Sequence, residues 1–277
     1  MQQGKYFSLL RRNMHSCTFN RSRLLAFLLV VGVTLVIYYL LPNTLPDSTR
    51  SVEPLRAYDM TTTNKLIVTV NVTLKKSSNQ IQVFYRETLP LQKSRESHPP
   101  SLEVLLLHGQ AFDSKTWEGL GTLSLLAEKG YRAVAMDLPG YGNTPLLDID
   151  KVDKDRADFL LAFLNAVGLQ APVVVSPSMS GHFSIPFLMF YAQRLKGFVP
   201  IAPAGTNLYN ADQYQKIQTP TLIVFGELDT NLGVRSLKNL KYLPNHSVFK
   251  IPTARHACYL DEPHLFHTTL LDFLTKF

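Results

Sequence analysis

The sequence predicts an α/β fold: a mostly parallel sheet with helices on both faces, preceded by one membrane-spanning helix. Three observations carry that expectation. Short, mostly apolar runs recur at 102–107, 132–136, 173–175, 197–201, 220–225 and 247–251, and the three β-branched residues in a row at 173–175 suit a strand covered on both sides. Helical patterns fill most of the intervals, the alternation that builds a parallel sheet through helical crossovers. Residues 24–41 carry no charge, and as a helix they span about 27 Å at ~1.5 Å per residue, close to the hydrocarbon thickness of a bilayer.

The charge of the chain supports the third observation. The formal net charge is +7. Lys5, Arg11, Arg12, Arg21 and Arg23 supply +5 of it before residue 47, where no acid occurs. The remainder is close to neutral, which argues against a nucleic-acid-binding surface and places the excess beside the apolar segment. Basic residues precede that segment and Asp47 follows it, so the short tail (1–23) is expected in the cytoplasm and the bulk of the chain in the lumen or outside the cell. Tyr38 and Tyr39 suit the far interface. A cleaved signal peptide is the alternative, giving a secreted protein, but the Tyr-Tyr-Leu-Leu-Pro stretch lacks a small-residue cleavage pattern. Residues 42–64 read as a stalk. Asn71-Val-Thr73 and Asn245-His-Ser247 are glycosylation sequons beyond the anchor. Cys17 and Cys258 fall on opposite sides of the membrane, so no intrachain disulfide is expected; Cys17 is placed for palmitoylation.

A hydrophobic fraction of 45% against 18% charged describes one sizeable globular domain, expected over 65–277. It opens with strands at 65–74 and 80–86 joined by a polar turn. Leu66, Val68, Val70, Val72 and Leu74 share one face, and Asn71 lies on the other. The strand at 102–107 ends at His108-Gly109-Gln110-Ala111. A helix is expected over 116–129, with Trp117 as its core anchor. The strand at 132–136 leads into the loop Asp137-Leu-Pro-Gly-Tyr-Gly-Asn143. The helix at 154–167 places Phe159, Leu160, Phe163, Leu164 and Val167 at core spacing. Further helices are expected at 179–192, 233–241 and 262–276.

Chemistry concentrates at Val173-Val-Val-Ser-Pro-Ser178-Met-Ser-Gly181. A buried strand, a tight turn and the start of a helix bring one serine to an exposed, strained position, as in the small-x-Ser-x-small elbow. Centring the elbow on Ser178 places small Ser176 and Ser180 at its flanks. Centring it on Ser180 would place bulky His182 there. Asp229 follows the 220–225 strand, with Glu227 and Asp212 as alternative acids. His256 follows the last strand; His264 and His267 compete but fall on the final helix, expected on its surface. His182 lies within reach of a pocket at Ser178. The backbone N–H groups of Gln110 or Ala111 and of Met179 are candidates for binding an oxyanion.

LLLHGQAFDSKTW, DLPGYGNT, VVVSPSMSGHFSIPFL, FGELDT and ARHACYLDEP together resemble the α/β-hydrolase domain-containing 14 family, over about residues 66–277. The resemblance implies an α/β-hydrolase fold with Ser178 as nucleophile, Asp229 as orienting acid and His256 as general base. Ser176 and Ser180 stand where the superfamily usually has glycine. The expected function is a membrane-anchored serine hydrolase forming an acyl-enzyme on a small ester, thioester or amide substrate. An acyltransferase, or a non-catalytic binding protein on the same fold, is the alternative. The short 203–219 segment argues against a large cap. No metal-ligand cluster, phosphate-cradling loop or dinucleotide fingerprint occurs, so no cofactor is implied.

Overall fold

The computed structural model describes residues 65–73, 80–90, 102–147 and 152–277. The basic tail, the 24–41 segment, the stalk and the 75–79 turn lie outside the described residues. Among the described residues no helix is long and apolar enough to cross a membrane.

Eight strands form one sheet: β1 (Lys65–Thr73), β2 (Gln80–Thr88), β3 (Glu103–Leu106), β4 (Arg132–Met136), β5 (Val173–Pro177), β6 (Gly197–Ile201), β7 (Thr221–Gly226) and β8 (His246–Ile251). Their order is β1-β2-β4-β3-β5-β6-β7-β8, antiparallel at β1-β2 and β2-β4 and parallel from β4 onward. The central strands are apolar on both faces because helices cover both. β5, β6 and β7 are buried at every position, as their dense apolar content requires. In the edge strand β1, Val68, Val70 and Val72 pack into the core, while Asn71 is exposed. Leu66, expected on the buried face, is 45% exposed because it lies at the open end of the edge strand.

The helices are α1 (Lys115–Gly119), α2 (Thr122–Glu128), α3 (Asp153–Val167), α4 (Gly181–Tyr191), α5 (Ala211–Tyr214), α6 (Leu232–Leu240), α7 (Cys258–Asp261) and α8 (Pro263–Leu274). Two apolar clusters sit against the two faces of the sheet. One joins Phe159, Phe163 and Leu164 of α3 to Ile185, Phe187 and Leu188 of α4. The other joins Trp117, Leu123 and Leu126 to Tyr259, Phe266 and Leu270. The helix expected over 116–129 is two helices, because Gly121 adopts φ +73°, a left-handed conformation that ends one helix and starts the next. The connection between β6 and β7 holds only a 3₁₀ turn and the one-turn α5, so no cap domain is inserted there.

Candidate active site

The elbow at Ser178 is built by close approach of backbone. Ser178 has φ +50°, a left-handed conformation that disfavours a side chain. The strand feeding it is locked between β3 and β6. Its carbonyl accepts the Ala204 N–H at 2.8 Å, which ties the turn to the segment leaving β6. Gly181 sits beneath that crossing, where a Cβ would lie 2.2 Å from the Ala204 carbonyl oxygen. The position that admits no side chain is therefore Gly181, one residue beyond the flank expected from sequence.

Ser176 and Ser180 occupy the flanks as buried residues, and their hydroxyls are satisfied. Ser180 Oγ donates to the Pro177 carbonyl at 2.7 Å. That commits its proton, so Ser176 donates to Ser180 at 2.9 Å and Ser184 to Ser176 at 2.6 Å. Each hydroxyl has one proton to give, so the chain has a single direction, from Ser184 of α4 to the peptide before the nucleophile. Two serines are tolerated in place of glycine because this ladder removes the cost of burying their hydroxyls.

The other two residues arrive on turns after β7 and β8 that are bonded to each other. Gly226 ends β7 where an added Cβ would lie 2.1 Å from the Arg255 carbonyl oxygen. The Leu228 N–H bonds the Ala254 carbonyl at 2.8 Å. Asp229 is 6% exposed, with Oδ2 2.6 Å from His256 Nδ1. Burial alone would raise its carboxyl. Hydrogen bonds from His256, Gly233 and Asn231, with the charge interaction of His256, outweigh that and hold it below the usual carboxylate range. An ionised Asp229 accepts from Nδ1–H, which leaves Nε2 as the basic nitrogen. His256 Nε2 stands 2.8 Å from Ser178 Oγ, within reach to take that proton. Arg255 braces the turn, its N–H and guanidinium bonding the Asp261 carboxylate at 2.7 and 3.0 Å.

The competing residues stand apart. Glu227 is exposed and paired with Lys250 at 3.0 Å, and Asp212 is exposed in α5. His264 is exposed. His267 departs from expectation: it is half-buried, with Nε2 2.8 Å from the buried Thr122 hydroxyl. His182 does not line the cavity at Ser178; it packs against Gly205, its Nδ1 without a partner among the described residues.

The His108–Ala111 segment lies beside the elbow, where a Cβ on Gly109 would be 3.7 Å from Ser178 Cβ. A turn closed by Phe112 N–H to the Gly109 carbonyl at 3.1 Å leaves the Gln110 and Ala111 amides outside its own hydrogen bond. His108 is a latch: Nδ1–H donates to the Gly109 carbonyl, and Nε2 accepts the Leu138 N–H, both at 2.9 Å. Asp137 completes the support by accepting the N–H groups of Ser114 and Asn143 at 2.7 and 2.9 Å. A cavity of about 320 Å³ opens here, lined by Gln110, Ala111, Ser178 and His256 among others. Met179 does not line the cavity, and its side chain packs against the core. The walls Phe112, Pro177, Ala257 and Tyr259 were not foreseen, because no spacing rule marks residues that enclose a site without carrying its chemistry. Cys258 is buried, and burial pushes its thiol up to about 12, as suits an inert core residue.

The sheet order, the turn at Ser178 and the strand-end cluster define a hydrolase of the α/β-hydrolase class. The alpha/beta hydrolase family model matches residues 104–205. The fold is shared with the crystal structure of a "predicted CIB-like hydrolase" from Thermoplasma acidophilum, at TM-score 0.66 and 22% identity over 77% of this chain and all of that one. The chain belongs to the ABHD14 family. It is 49% identical over 265 residues to Protein ABHD14A of Danio rerio, covering 93% of this chain and 98% of that protein. It is 46% identical over 209 residues to the human "Putative protein-lysine deacylase ABHD14B", covering 74% and 97%.

Proposed function

We propose that this protein is a serine hydrolase that cleaves an ester, thioester or amide through an acyl-enzyme on Ser178. The observation that carries the reading is the chain of contacts from Ser178 Oγ to His256 Nε2, 2.8 Å, and from His256 Nδ1 to Asp229 Oδ2, 2.6 Å. His256 takes the serine proton as Oγ attacks the acyl carbon, then returns it to the leaving group. Asp229 keeps Nδ1 protonated and stabilises the imidazolium. The amides of Met179 and of Gln110 or Ala111 receive the developing oxyanion, each contributing on the order of 10²–10³ in rate. The name of the human relative, "Putative protein-lysine deacylase ABHD14B", favours an acyl amide among the substrate classes.

His256 has 44% of its side chain exposed. That openness supports a second reading, in which an acceptor other than water reaches the acyl-enzyme and the protein is an acyltransferase. Product analysis on an acyl ester, with and without an added amine or thiol, separates the two. Free acid in both cases identifies a hydrolase; acylated acceptor at the expense of acid identifies a transferase.

The domain is held at a membrane in this reading, anchored through residues 24–41 and facing the lumen or the exterior. The support is the uncharged run, its basic N-terminal flank and the exposed sequon residues Asn71 and Asn245. Enzymatic deglycosylation should increase gel mobility in the wild type and leave the double Asn71→Gln, Asn245→Gln variant unmoved. A mobility shift that persists in that variant contradicts the sequon assignment.

A further inference from the structure

The Ser178 cavity is walled chiefly by apolar groups, among them Ala111, Phe112, Pro177 and Ala257, and one buried polar side chain joins them without a bonding partner among the described residues. Tyr259 is 2% exposed and lines the cavity. Its ring is fixed on several sides: stacked on Trp117 with centroids 5.0 Å apart, tilted against Phe266 at 6.1 Å, and edge-on to Phe112 at 6.5 Å. Trp117 is itself pinned by its indole N–H to the Leu107 carbonyl at 2.7 Å.

Two other tyrosines of the domain use their hydroxyls, buried Tyr214 and half-buried Tyr209, whereas buried Tyr85 has no hydroxyl bond among the described residues. Tyr214 donates to the Thr206 carbonyl at 2.8 Å, and Tyr209 to Asp153 at 3.0 Å. The Tyr259 hydroxyl bonds to no group of the described residues. Phenylalanine would fill the same aromatic stack without burying a polar atom, so packing does not explain the hydroxyl. Burial pushes its phenol above the ordinary range, which keeps it a hydrogen-bond donor at neutral pH. The cavity opens directly on Ser178, its walls running from the 109–112 turn past Ser178 to His256, so a group attached to Ser178 lies beside these walls.

We propose that Tyr259 determines acyl specificity by donating a hydrogen bond to an oxygen on the acyl group. The preferred substrates are then acyl groups bearing an ether, hydroxyl or keto oxygen near the scissile carbonyl, over hydrocarbon chains of equal length. This rests on Ser178 being the acylated residue. The test uses p-nitrophenyl methoxyacetate and p-nitrophenyl butanoate, which differ by one oxygen in place of a methylene, with full-length wild type and Tyr259→Phe. Phenylalanine keeps the ring stack, and comparing the two proteins cancels the esters' different intrinsic reactivities. The expected result is a drop of about fivefold in the methoxyacetate-to-butanoate ratio of kcat/KM in Tyr259→Phe, the size of one neutral hydrogen bond. An unchanged ratio, whether both rates fall together or neither moves, overturns the proposal. Wild type that turns over neither ester and takes no fluorophosphonate label at Ser178 removes the acyl-enzyme reading and this inference with it. Labelled wild type with an unchanged ratio removes this inference alone.

Discussion

Asp229 Oδ2 stands 2.6 Å from Nδ1 of His256, and that contact joins the turn after β7 to the turn after β8. The two turns are already bonded through Leu228 N–H to the Ala254 carbonyl. The carboxylate is thus delivered to the imidazole by backbone geometry. Asp229→Asn keeps the shape but no longer enforces a proton on Nδ1, so Nε2 would carry the proton and face Ser178 as a donor. The variant should fold normally and lose kcat on the order of 10⁴-fold, measured on a chromogenic ester beside its melting curve.

Acid should weaken the domain through buried His108 and half-buried His267. Burial lowers His108 below its ordinary value, and burial with the neighbouring His264 lowers His267 to about 4. The unfolded chain therefore takes up protons near pH 6.5 that the fold refuses, so stability is full above that pH and falls as acid is added. Urea midpoints should decline between about pH 6.5 and 4, and His267→Gln should give a shallower decline. An identical slope in the variant would exclude His267 as a contributor.

Two glycines of different surroundings test the elbow. Gly181→Ala drives a methyl into the Ala204 carbonyl at 2.2 Å and should destabilise by about 3 kcal/mol. Gly119→Ala, at the end of α1 with nothing within 4 Å of the added Cβ, should be neutral or gain about 0.5 kcal/mol. Urea unfolding of both against wild type gives the comparison.

The serine ladder makes a separate prediction about coupling. Ser176 links Ser184 to Ser180 at 2.6 and 2.9 Å, so losing any hydroxyl leaves a neighbour with an unmet bond. Ser176→Ala and Ser184→Ala should each cost about 1–2 kcal/mol. The double variant should cost less than the sum by at least about 0.5 kcal/mol. Additive costs would show that the hydroxyls act independently.

Much of this architecture was legible in the sequence because strand, turn and helix signals are local. Five of the six apolar runs fall on central strands and the last, 247–251, on the largely exposed edge strand β8, while Ser178, Asp229 and His256, picked from their places after three of these strands, form one hydrogen-bonded row. What was not legible depends on distant contacts. Gly121 looks like an ordinary helical residue until its φ breaks the helix expected over 116–129. His267 reads as a surface position because its partner, Thr122, is 145 residues away. Gly181 is required by the chain crossing at Ala204, and Ser176 and Ser180 are accommodated by a ladder that begins at Ser184. Tyr259 lines the cavity from the short α7 just after His256, a wall that no spacing rule marks.

The most direct test of the central claim is covalent labelling by a fluorophosphonate probe, read with the modified peptide identified by mass spectrometry. Folded wild type should be labelled at Ser178, and Ser178→Ala, with the same melting curve, should take no label. Folded wild type that resists the probe, or a Ser178→Ala protein labelled as fully as wild type, would contradict Ser178 as the nucleophile.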